Sequence, residues 1–176
     1  HKNYVFIADE VFPAAGVKGA KDASAFRAYG RLQVLDVSDI AKPKSVAWYE
    51  PEYGGVHNIW VAGDTLYMGA YNAGFRAFDV SGELLGDLRA QGREIVHVNT
   101  ADMEGSTKNT AMTWGVVVKD NLAYVNDMLN GLWIIRIERH GALPLETRFD
   151  ASAHAPIGVA KVIVQRGVRR LEPHRR

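Results

Sequence analysis

The amino-acid sequence predicts an all-β protein, and three observations carry that expectation. Apolar residues gather in short runs rich in aromatic and β-branched side chains. Gly, Asn and Asp punctuate those runs at turn spacing. The same block of strand, turn and strand also recurs along the chain. A helical alternative finds little support. The best amphipathic stretch, 82–91, carries Gly86 in its middle, at a cost of about 1 kcal/mol relative to Ala.

In chain order, Tyr4-Val5-Phe6-Ile7-Ala8 reads as the first strand, and 11–28 as an insertion rich in Ala, Gly and Lys. Strands follow within 30–39 and at 59–61, 66–70 and 75–80, then at 114–118, 122–125 and 132–137. Ala62-Gly63-Asp64 and Lys119-Asp120-Asn121 separate neighbouring runs. Asn72-Ala73-Gly74 and Leu129-Asn130-Gly131 supply the positive φ angles of tight hairpins. Asp36 and Asp79 each stand before Val-Ser, the place for an Asx-type turn. Near the end, 159–164 has the apolar content of one more strand.

The repeat is specific. Asp64 aligns with Asp120 at an offset of 56 and Gly74 with Gly131 at 57, so one residue is inserted between the copies. Asp36-Val37-Ser38 answers Asp79-Val80-Ser81. A single four-stranded blade has two apolar faces and cannot bury both alone, so repeats of this length point to stacked blades, as in a β-propeller. The expectation is a propeller-like array of about three four-stranded antiparallel blades over 1–157. Its repeats fall at roughly 2–55, 56–112 and 113–157. Trp60, Phe78, Trp133 and Ile135 should then be buried between blades. Closed propellers use roughly four to eight blades. The reading is therefore of a fragment of a larger propeller, or of half an assembly closed by a partner chain. The first residue, His1 rather than Met, is read in the same sense.

Residues 30–43, Gly-Arg-Leu-Gln-Val-Leu-Asp-Val-Ser-Asp-Ile-Ala-Lys-Pro, resemble the core of the LVIVD repeat. That repeat has a Gly-led strand ending in Asp-Val-Ser-Asp with Pro a few residues on. The run Val56-His57-Asn58-Ile59-Trp60 is similar to the family's His-Asn opening of a blade. The third copy departs from the pattern, with Arg136-Ile137-Glu138 in place of Asp-Val-Ser and Trp114-Gly115 in place of His-Asn. The resemblance implies a propeller of exported or surface proteins, hence an extracellular or periplasmic location, and implies no particular activity.

Charge and composition exclude several classes. Lys and Arg number 21 against 20 Asp and Glu, which leaves no electrostatic footprint for nucleic acid. No Cys is present, so disulfides, thiolate metal sites and Cys nucleophiles are absent together. No apolar run has the length of a membrane span. Basic residues collect at the end of the chain: Lys161, Arg166, Arg169, Arg170, Arg175 and Arg176 stand against Glu172. Residues 158–176 are accordingly expected to be a poorly ordered basic tail, with Val168 and Leu171 unburied.

Candidate chemistry is sparse. The Ser residues lie outside any Gly-x-Ser-x-Gly elbow, and no phosphate-binding Gly loop is present. The six His show no i, i+2 or i, i+4 pairing of the kind local metal sites use. His57, His97, Asp102 and Glu104 are the candidate ligands for a divalent metal, since inner strands of separate blades converge at a propeller mouth. Against this, His57 and Asn58 also suit hydrogen bonds to a neighbouring blade's backbone. Asp102 and Glu104 also suit a solvated loop. Tyr49, Tyr53, Tyr67, Tyr71 and the Trp residues are either a carbohydrate-stacking platform or blade packing. The leading functional expectation is a non-catalytic binding or scaffold module that takes a protein or small molecule at the mouth and can self-associate through open blade edges. The alternative is a metal-dependent propeller oxidoreductase or hydrolase with His57 on the channel axis.

Overall fold

The computed structural model describes residues 2–12, 28–139 and 160–166, and these form three four-stranded sheets without a helix. The first contains β1 (Tyr4–Ala8), β2 (Leu32–Asp36), β3 (Lys44–Tyr49) and the two-residue β7 (Gly86–Asp87). The second contains β4 (Asn58–Ala62), β5 (Thr65–Gly69), β6 (Phe75–Asp79) and β8 (Glu94–Val98). The third contains β9 (Thr113–Lys119), β10 (Leu122–Asp127), β11 (Gly131–Arg139) and β12 (Ala160–Arg166).

The hairpins form where the turn residues place them. β5 and β6 pair antiparallel around the turn at 72–74, where Gly74 has φ 75°. β10 and β11 pair around the corresponding turn, where Gly131 has φ 81°. Asp36 and Asp79 make the expected Asx turns: their Oδ1 atoms accept from Ser38 N and Ser81 N, each at 2.9 Å.

One sheet departs from the antiparallel expectation. β7 lies parallel to β3, with Ala47 opposite Gly86 and Trp48 opposite Asp87. It belongs to the 82–91 stretch, which leaves β6 of the second sheet and crosses to the edge of the first. Leu84 and Leu88 are buried in the core under the first sheet and draw the segment there. Leu88 N donates to Trp48 O at 2.9 Å, and Leu84 N donates to the Tyr4 hydroxyl at 3.1 Å.

The second sheet lies between the other two, and strand alternation shows how. Leu66, Met68 and Phe78 point into one core with Leu32, Val34, Ala47 and Tyr49 of the first sheet. Phe75 and Ala77 point into another with Val116, Ala123, Val125 and Ile135 of the third. All of β6 is buried as a result. Phe78 and Ile135 are fully buried as expected. Trp133 is half-buried, and Trp60 is 40% exposed. Trp60 sits on β4, an edge strand with Tyr67 of β5 as its cross-strand neighbour, so only one side of it is covered within the sheet.

Ala160–Arg166 pairs antiparallel with β11 from Trp133↔Arg166 to Arg139↔Ala160. The apolar start of the segment read as a basic tail therefore supplies the fourth strand of the third sheet, while 167–176, with Val168 and Leu171, lie outside the described residues. Most of the 11–28 insertion is also outside them, apart from an antiparallel bridge between Val11 and Tyr29.

Candidate functional site

His57 stands at the junction of the second and third sheets. Its Nδ1 donates to the Trp114 carbonyl at 3.1 Å, and its Nε2 accepts from the Trp114 indole N–H. Next to it, Asn58 Oδ1 accepts from Val116 N at 3.0 Å. Tyr71 N and Thr113 N exchange hydrogen bonds with each other's carbonyls at 2.8 and 3.0 Å, which locks the same two sheets together. The His57 ring meets Tyr71 and Trp114 edge-to-face, and Glu10 Oε2 lies 3.5 Å from Nε2. Burial and a hydrogen bond to Glu10 push the Tyr71 hydroxyl well above the usual phenol range. These are the backbone contacts of the register-holding alternative.

The other candidate ligands lie elsewhere. His97 is on β8 beside Arg76 and Glu94, and partial burial followed by the Arg76 charge lowers its pKa. Asp102 and Glu104 belong to the 99–110 loop, where Asp102 Oδ1 accepts from Glu104 N at 2.8 Å. Among the described residues no three His, Asp or Glu side chains gather as a metal ion requires. The loop is exposed at Met103, Glu104 and 106–109, and backbone hydrogen bonds pin it. Asn109 N donates to Asp102 O at 3.0 Å and Ser106 N to Leu129 O at 2.9 Å.

The anchor of that loop is Asp127, a residue the sequence did not single out. It is buried at the end of β10. Oδ2 accepts from Thr100 Oγ1 at 2.6 Å and Met112 N at 2.8 Å, while Oδ1 accepts from Leu129 N at 2.9 Å and Asn130 N at 3.0 Å. Thr113 Oγ1 lies 2.6 Å from Thr100 Oγ1 and completes the cluster. A buried carboxylate surrounded by donors in this way is satisfied, and its role is to fix the loop on the third sheet. The sequence signal was the Asp-x-x-Asn-Gly run before β11, which reads as turn chemistry alone until Thr100 is brought to it.

A cleft of about 520 Å³ opens beside the interface of the first and second sheets, lined among others by Glu52, Tyr53, Arg76, Arg89, Glu94 and His97. Arg76, Arg89 and Glu94 of its wall are joined by a hydrogen-bonded chain that runs through the fully buried Tyr49 behind them. Arg76 Nη1 donates to Glu94 Oε1, the Tyr49 hydroxyl donates to Glu94 Oε2 at 3.0 Å, and Arg89 reaches the Tyr49 oxygen at 3.4 Å. Both guanidinium groups lie over the Tyr49 ring, at 5.7 and 5.2 Å from its centre. Burial raises the Tyr49 pKa, so the hydroxyl remains a donor. Arg76 is only 8% exposed, a charge kept inside by Glu94 and by the aromatic face. A second cleft of about 650 Å³ lies at the Asp-Val-Ser turns, with Lys2 facing Asp36, Asp64 and Glu83.

The geometry on its own describes stacked sheets with clefts lined by charged side chains. Residues 111–138 match the LVIVD repeat. The matched stretch covers β9, β10 and most of β11, the copy whose Asp-Val-Ser and His-Asn positions depart from the pattern. No curated protein and no solved structure matches the chain. The matched stretch is a β-meander whose inner face packs on the preceding sheet.

Proposed function

We propose that the chain is a non-catalytic β-propeller repeat module of an exported or surface protein, acting as a binding or scaffold domain. The observation that carries this reading is the middle sheet, whose β6 is buried on both faces by two sheets of the same strand count. That is what a blade does to its neighbours, and the LVIVD match on the third sheet agrees with it. In this arrangement the outer face of the first sheet, where Val5, Ile7 and Trp48 are exposed, is covered by a further blade or by another chain. No helix among the described residues is long and apolar enough to cross a membrane.

His57 has a structural task in this reading, which separates it from the metal-enzyme alternative. The test is metal analysis of the purified chain beside thermal unfolding, with and without His57→Ala. The expected result is a lower Tm with unchanged metal content, because the bonds to Trp114 are lost. Stoichiometric metal that disappears in the variant while the fold survives overturns the reading.

A further inference from the structure

We propose that the cleft beside the first and second sheets is a saccharide site, with Tyr53 as the stacking surface and Arg89, Glu94 and Arg76, backed by the buried Tyr49, as the hydroxyl-binding wall. The inference rests on the binding-module reading and names the ligand class. Three features of the cleft point to a neutral polyhydroxylated ligand.

The first is charge balance. Arg76 and Arg89 are matched by Glu52 and Glu94, and Arg76 is paired directly with Glu94. An anion or cation bound here would meet as much repulsion as attraction, whereas a neutral ligand with many hydroxyls would not. His97 adds no charge at neutral pH, since partial burial and Arg76 both favour its uncharged form. The second cleft differs in this respect: Lys2 stands against Asp36, Asp64 and Glu83.

The second feature is the type and order of the polar groups. Guanidinium and carboxylate are planar and bidentate, so each can meet two neighbouring hydroxyls of a sugar ring at once. The wall offers donors and an acceptor together, and hydrogen bonds of Arg89 and Glu94 to the buried Tyr49, and of Arg76 to Glu94, hold their orientation before any ligand arrives. Such preorganisation reduces the ordering cost of binding. The third feature is Tyr53, an aromatic ring 63% exposed at the rim of a polar cleft. Its face offers the apolar C–H side of a sugar a stacking surface. The volume, about 520 Å³, lies within the range of small-molecule sites.

The experiment is saturation-transfer NMR on the full chain with maltose, cellobiose and diacetylchitobiose, and with citrate and glutamate as charged probes. At least one disaccharide should receive saturation. Tyr53→Ala should weaken that binding by about tenfold and Tyr53→Phe should retain it. Arg89→Ala should remove most of the signal, with the far-ultraviolet circular dichroism unchanged. Citrate or glutamate binding without any sugar would overturn the saccharide class and leave the module reading standing. Silence from every probe would overturn the proposal as well, and sugar binding indifferent to Tyr53→Ala would overturn its location. Failure of the module reading shows separately, in the metal content of the His57 variant.

Discussion

At the scale of single residues, what the sequence disclosed depended on how far apart the partners lie. The Asx turns at Asp36 and Asp79 were legible because donor and acceptor are two residues apart. For His57 the kind of contact was legible but its partner Trp114, far along the chain, was not, and for Asp127 neither was, because Thr100 and Met112 are distant in sequence. Asp127→Ala should strand several buried donors at once and cost about 3 kcal/mol or more, read from urea unfolding. A loss under about 1 kcal/mol would show that the donors find other partners. His97 offers a pH test. Its folded pKa lies below the ordinary value of 6.5. The unfolded chain therefore takes up the proton first as pH falls, so stability is fully present above 6.5 and is lost as pH drops from there through the folded value. Tm should decline over that window, and His97→Gln should flatten the decline. An unchanged profile in the variant would assign the loss to another group.

At the scale of elements, hairpins were the most legible feature, since each is fixed by a few adjacent residues. Gly74 shows why the sequence needs what it has. Its φ is 75°, and a Cβ there would stand 2.4 Å from the Val98 carbonyl oxygen. Strain and collision act together, so Gly74→Ala should cost more than the roughly 1 kcal/mol expected from backbone conformation alone. Equilibrium unfolding in urea checks this, and a neutral result would mean that β6 and β8 can separate locally at no cost. The element that escaped the sequence was β7. Two residues carry no strand signal, and parallel pairing with β3 depends on where Leu84 and Leu88 find a core. β12 was legible as an apolar run of 159–164, but the basic residues around it favoured a tail. Pairing with β11 outweighs that composition because the ladder spans the whole strand, from Ala160 to Arg166.

At the scale of the whole molecule, the repeat predicted stacking before any contact was known, because a sheet with two apolar faces needs two neighbours. The β5–β6 hairpin meets that need with side chains on the two alternating faces of one strand. Phe78 enters the core shared with the first sheet and Phe75 the core shared with the third, though both belong to one five-residue strand. Truncating either should open a cavity at a different interface, so Phe75→Ala and Phe78→Ala should each cost about 3–5 kcal/mol. Val5 is apolar as well but lies 43% exposed on the outer side of the first sheet, and Val5→Ala should stay within about 0.5 kcal/mol. Denaturant midpoints of the three variants, taken at low protein concentration, distinguish stacked sheets from independent ones. If only one Phe mattered, the middle sheet would be packed on one side alone. If Val5→Ala proved as costly as the Phe variants, and more so at high protein concentration, the outer face would already be covered by another copy of the chain, as open blades in a propeller-type array require.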